Sequence, residues 1–117
     1  MNASPFEKLS RQIHAFAIER DWEKFHTPKN LAMAIAVEAS ELMEQFLWSE
    51  EQSWDLAADK KKDAVAQEMA DVLIYLIRMS QVAGIDLVQA AESKLAINAE
   101  KYPAEMVRGQ SKKYTEY

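Results

Sequence analysis

Apolar positions in this chain recur at helical spacing in four blocks, and none of them alternates with the period of two that a half-buried strand needs. Phe6, Leu9, Ile13, Phe16 and Ala17 mark one face of a first helix predicted over about 5–21. Its start is signalled by Ser4, Pro5 and Glu7, the arrangement of a capping box with proline at the first helical position. Residues 22–26 (WEKFH) form a short connection rich in rings. Thr27 and Pro28 repeat the start signal and open a second helix predicted over about 28–48. Residues 49–60 are polar and acidic around Trp54 and read as a loop. A third helix begins near Asp59 and runs to Gly84, a residue suited to the position just past a helix end. Asp86 caps a fourth, over about 87–101, which Pro103 stops. The tail, 108–117, is basic and aromatic and reads as extended. The expectation is an all-α chain, a four-helix bundle folded as a single domain over 1–117.

Four acids break this pattern. Glu38 and Glu41 (in VEASE) and Glu68 and Asp71 (in QEMAD) are two pairs at i,i+3 spacing, each pair leaning over one helical face about 5–6 Å apart at Cβ. At about 100° per residue, Leu31, Ala34, Ile35 and Leu42 share the sector of Glu38 and Glu41. Val65, Val72, Tyr75 and Met79 share the sector of Glu68 and Asp71. The acids therefore stand within the apolar stripes that should face the core. An unpaired buried carboxylate costs more than its packing gains, so a compensating cation is expected. The second and third helices are also apolar on their other sides, through Met33, Ala36, Met43 and Leu47, and through Leu73, Leu76 and Ile77. Helices buried on more than one side imply a partner subunit; the alternative is that Met33 and Met43 are simply exposed.

Composition narrows the class. Two glycines and three prolines in 117 residues favour long helices, and 49% hydrophobic with 28% charged residues is ordinary for a globular chain. A net charge of −5 gives no footprint for a nucleic-acid polymer. No cysteine is present, which excludes disulfides. The first ten residues lack the basic and apolar regions of a signal peptide, and the longest apolar run is broken by Glu38, Glu41 and Glu44, so neither export nor a membrane span is expected. A cytoplasmic setting follows as an expectation.

Two carboxylates about 5 Å apart repel by roughly 3 kcal/mol at an effective dielectric near 20. Four of them demand either protonation or a divalent cation. An all-oxygen set favours Mg²⁺, Mn²⁺ or Ca²⁺. A di-iron bundle would need Glu-x-x-His pairs, and neither His14 nor His26 has that relation to the acids; His26 reads as a capping or loop residue. With only Gly84 and Gly109 available, an EF-hand is excluded. On the fourth helix Lys94, Asn98 and Lys101 lie within about 60° of one another. They suit an anionic group such as a phosphate, or are surface lysines at a helix edge. Trp22, Trp48 and Tyr75 offer flat faces for a nucleobase, or are core and interface aromatics.

The stretches FAIERDWEKFHTPKNLAMAIAVEASELMEQFLW, QEMADVLIYLI, SKLAINAEKYP and SKKYTEY, which extend over nearly the whole chain, resemble the MazG-like all-α nucleoside triphosphate pyrophosphohydrolases, within them the small dCTP pyrophosphatase subgroup. The resemblance implies that Glu38, Glu41, Glu68 and Asp71 hold Mg²⁺, with Mn²⁺ a substitute. It implies nucleotide contacts from Trp22, Glu23, Lys24, Phe25 and His26, with Trp48 and Tyr75 around the base or sugar. Lys94, Asn98, Lys101 and Tyr102 match its phosphate-side motif. It also implies a homo-oligomer, commonly a tetramer. In one respect the chain departs: Ile13 stands where some relatives carry a nucleotide-contacting histidine, and His14 is displaced by one residue, about 100° around the helix. The expected activity is hydrolysis of dCTP or a 5-modified dCTP to the monophosphate and pyrophosphate, which cleans the nucleotide pool. Glu41 is the first candidate to activate the water and Glu38 the second. Alternatives are a dUTP or broad dNTP pyrophosphohydrolase and a non-enzymatic helical interaction module.

Overall fold

The computed structural model describes residues 2–48, 61–111 and 114–116, and it is helical throughout its regular elements, with no strand among the described residues. The expected loop over 49–60 lies outside the described residues. The helices are α1 (Pro5–Glu19), α2 (Pro28–Glu44), α3 (Lys61–Ala83), α4 (Leu87–Lys101) and a short α5 (Ala104–Val107), with single 3₁₀ turns at Glu23–Phe25 and Tyr114–Glu116. The chain divides into two compact units, Met1–Gly84 and Ile85–Tyr117. No helix among the described residues is long and apolar enough to cross a membrane.

The start signals at Ser4, Thr27 and Asp86 work as caps, and the third start, near Asp59, lies outside the described residues. Ser4 Oγ accepts from the Glu7 backbone N–H at 3.1 Å while Glu7 Oε2 accepts from that of Ser4 at 3.3 Å. Thr27 Oγ1 accepts from the Asn30 N–H, and Asp86 Oδ1 from that of Gln89. Each such cap satisfies an N–H that the first helical turn leaves without a partner. The ends differ more from expectation. Helix α1 stops at Glu19 because Asp21 turns left-handed (φ 54°). The Trp22 N–H then reaches back to the Ala17 carbonyl and the Asp21 N–H to that of Ile18, a Schellman closure. Helix α2 ends at Glu44 rather than near Trp48. Gln45, Phe46 and Leu47 tighten to i→i−3 bonds, and Trp48 turns left-handed (φ 63°). Pro103 stands at the N-cap of α5, ahead of the tail, and the tail itself is not wholly extended, since a 3₁₀ turn closes at Tyr114–Glu116.

In the first unit α3 is the central element, with α2 and α1 both packed against it. Leu31 of α2, Val65 and Ile77 of α3 and Ile13 and Ala17 of α1 form the buried core. The stripe predicted on α2 is the one that packs: Leu31, Ala34, Ile35, Glu38, Glu41 and Leu42 are buried or half-buried. Met33, Met43 and Leu47 are exposed in the single chain. Ile77, about 180° from Glu68 on the wheel, is fully buried because α1 covers that side of α3.

Candidate functional site

The α2–α3 packing brings the two acidic pairs together. Carboxylate oxygens of Glu38, Glu41 and Glu68 lie within 4.8 Å of one another, and all three side chains are half-buried. Glu38 Oε2 and Glu68 Oε2 are shielded from solvent and accept no hydrogen bond among the described residues. Burial raises the Glu38 pKa above its ordinary value. A hydrogen bond to Glu41 and the charges of Glu41, Asp71 and Glu68 push it in the same direction. Glu68 is raised for the same kind of reason: burial first, then the charge of Glu41 and a hydrogen bond to it, then Asp71 and Glu44. Glu41 thus stands between its two neighbours, within hydrogen-bonding reach of each. Glu44, which sequence reasoning had counted only as a charge interrupting an apolar run, adds to the negative field. Its place one turn beyond Glu41 could have suggested this.

Two orphaned oxygens in a cluster of like charges fit a divalent cation. Only hard oxygen donors are present, which is the donor chemistry of Mg²⁺ and Mn²⁺. Asp71 completes the set electrostatically rather than as a member of the tight trio.

Asp71 also lines a cavity of about 180 Å³ between α1 and α3, walled by Ile13, Phe16, Ala17, Trp22, His26, Ile74, Tyr75 and Arg78. The acids and the aromatic pocket therefore share a boundary residue. Trp22 stands edge-on to Phe16 with centroids 5.7 Å apart, and to His26 at 6.4 Å. Of the ring-rich connection, Trp22 and His26 reach the pocket. Glu23, Lys24 and Phe25 are exposed and outside its lining, with Lys24 Nζ 2.8 Å from Asp21. Trp48 is 92% exposed and also stands outside it. Lys94 and Lys101 are exposed on α4, whereas Asn98 and Tyr102 are half-buried. These four belong to the second unit.

Two residues of the first unit escaped the sequence reading. Arg78 is only 3% exposed; its Nε donates to His26 Nδ1 at 2.9 Å and its Nη1 to Gln81 Oε1 at 2.9 Å. The same Nη1 lies 3.2 Å from His14 Nδ1. Gln81 in turn donates to the Ser10 carbonyl and hydroxyl, tying α3 to α1. Burial lowers the His26 pKa, and the Arg78 charge lowers it further, so the ring accepts the arginine N–H in its neutral form.

Residues 33–117 match the model of the MazG-like family. The chain is 43% identical over 112 residues to dCTP pyrophosphatase 1 of Homo sapiens and 42% identical to that of Mus musculus. These alignments cover 91% of this chain and 64% of each relative, so the chain spans a little under two thirds of the curated relatives' length. A pyrophosphatase from Archaeoglobus fulgidus superposes with a TM-score of 0.79 at 38% identity, covering 88% of this chain and 96% of that one.

Proposed function

The chain belongs to the MazG-like family, and on that premise we propose that it is a Mg²⁺-dependent pyrophosphohydrolase of a deoxynucleoside triphosphate, with dCTP or a 5-modified dCTP as substrate. The observation that carries the reading is the trio Glu38, Glu41 and Glu68, with two buried oxygens lacking any partner among the described residues. Support comes also from the relatives named dCTP pyrophosphatase 1 and the pyrophosphatase of similar fold.

Glu38, Glu41, Glu68 and Asp71 would hold Mg²⁺, or Mn²⁺ in its place. A divalent cation there would neutralise phosphate oxygens and lower the pKa of a bound water. The chain's own part is to position and to move a proton. Glu41, between two carboxylates, takes the proton of the attacking water as that oxygen bonds to the α-phosphorus. Glu38 is the second candidate. The bond from the α-phosphorus to the α–β bridging oxygen breaks, and pyrophosphate leaves with the nucleoside monophosphate as the other product. Trp22, His26 and Tyr75 wall the base pocket, where stacking excludes water and fixes the ring. Glu23, Lys24, Phe25 and Trp48, for which the resemblance also implies nucleotide contacts, stand outside the lining of this pocket. The phosphate-side role of Lys94, Asn98, Lys101 and Tyr102 rests on their match to the family motif; Lys94 and Lys101 would offset negative charge on the leaving pyrophosphate. The exposed Met33, Met43, Leu47, Met69 and Leu73 support a homo-oligomer, in the family manner a tetramer. A single cytoplasmic domain that removes unwanted nucleotides is the corresponding biological reading.

The test is to incubate the protein with each dNTP, with and without Mg²⁺, and to measure pyrophosphate. Metal-dependent release, fastest with dCTP, is expected. Absence of release from every nucleotide would refute the enzyme and leave the acidic face as a binding surface.

A further inference from the structure

Arg78 is a buried cation with no carboxylate within 4.0 Å among the described residues. His26 takes its Nε–H, while Nη1 donates to Gln81 and lies beside His14. The second terminal nitrogen, Nη2, has no hydrogen-bond partner among the described residues. Arginine does not release its proton inside a protein, so those N–H groups stay donors. The fully shielded side-chain atoms without a partner among the described residues are carboxylate oxygens of Glu38 and Glu68, so Nη2 keeps access to solvent and is open to an incoming acceptor. Arg78 also lines the aromatic pocket, together with Trp22, Tyr75 and Asp71.

That placement selects the kind of acceptor. A phosphate or carboxylate entering this pocket would meet the charge of Asp71 and, beyond it, the glutamate trio. A neutral oxygen on a flat ring avoids this repulsion and still satisfies the donor, and the ring itself stacks on the pocket walls. His26 strengthens the case, since its Nδ1 lone pair is occupied by Arg78 and its remaining hydrogen is on Nε2, a further donor. We propose that Arg78 is a specificity-determining residue that donates to a keto oxygen of the bound base, so that keto-bearing bases are selected over adenine. This rests on the nucleotide reading above and adds what reads the base. Gln81 is the positioning residue, holding Nη1 while Ser10 holds Gln81.

The experiment measures kcat and KM for dCTP and dATP with wild type, Arg78→Met and Arg78→Lys. Losing a charge-assisted hydrogen bond should lower the dCTP-to-dATP ratio of kcat/KM by about tenfold or more in Arg78→Met, mainly through KM. Arg78→Lys, which keeps the charge but not the fork, should fall between. An unchanged ratio in either folded variant overturns the proposal. A second readout needs no variant: of the four arginine Nε–H signals in the wild-type ¹⁵N spectrum, the most exchange-protected should shift with dCMP and not with dAMP. Equal shifts, or none, overturn it as well. Wild type that hydrolyses no nucleotide refutes the functional reading itself, whereas normal turnover with unaltered selectivity in Arg78→Met refutes only the role of Arg78.

Discussion

Replacing Glu38 with glutamine should make the metal-free protein more stable, although it removes a member of the carboxylate trio. The carboxylate oxygens of Glu38, Glu41 and Glu68 lie within 4.8 Å of one another, and one such pair repels by about 3.5 kcal/mol at an effective dielectric near 20. Half-exposure, salt screening and shared protonation reduce the relief to about 1 kcal/mol. For a chain of this length that raises Tm by about 4 °C. The pH dependence follows from the raised Glu38 pKa. The folded state holds the proton more tightly than the unfolded chain, so stability is full below the ordinary carboxylate range. It falls as pH rises from about 4.3 through the folded value. The advantage of Glu38→Gln should therefore be present at pH 8 and vanish near pH 4. Saturating Mg²⁺ should reverse the order, because a cation at 100 times its Kd stabilises the wild type by about 2.7 kcal/mol and the variant by less. Thermal unfolding with EDTA and with Mg²⁺, at pH 4 and pH 8, reads all four conditions. A metal-free Glu38→Gln protein that melts below wild type at pH 8 would refute the repulsion argument.

Glu41→Gln and Glu68→Gln should each lower metal-dependent pyrophosphate release by about 100-fold or more while retaining the helical circular dichroism spectrum; wild-type rates in both would refute the site assignment. Gly84→Ala should cost about 1 kcal/mol in urea unfolding, because Gly84 sits at φ 68° and an added Cβ meets nothing within 4 Å, leaving backbone strain as the only cost. Light scattering after size exclusion should give a mass several times 13.4 kDa, and a monomeric mass would contradict the reading of Met33, Met43 and Leu47 as interface residues.

The starts of α1, α2 and α4 were legible because caps are local: a hydroxyl or carboxylate three residues from an N–H needs no tertiary partner. The acidic trio was legible for a related reason. Helical spacing fixes which residues share a sector, and the apolar residues around Glu38 and Glu68 show that the sector faces inward. The ends were less legible, since the tightening after Glu44 and the left-handed turn at Asp21 depend on how the following chain packs. Arg78 left no sequence signal at all. On the α3 wheel it stands about 80° from Glu68, where an arginine would ordinarily reach solvent. Only the packing of α1 across that side, with His14, His26 and Gln81 around the guanidinium, buries it. Wheel arithmetic describes one helix and does not say how many neighbours it has.

The central claim is that the carboxylate trio is a cation site, and Mn²⁺ binding followed by electron paramagnetic resonance tests it most directly. Titrating wild type into Mn²⁺ should quench the free-ion signal without any nucleotide, and Glu38→Gln and Glu68→Gln should each weaken the quenching by about tenfold or more. Equal quenching by wild type and both variants would contradict the account.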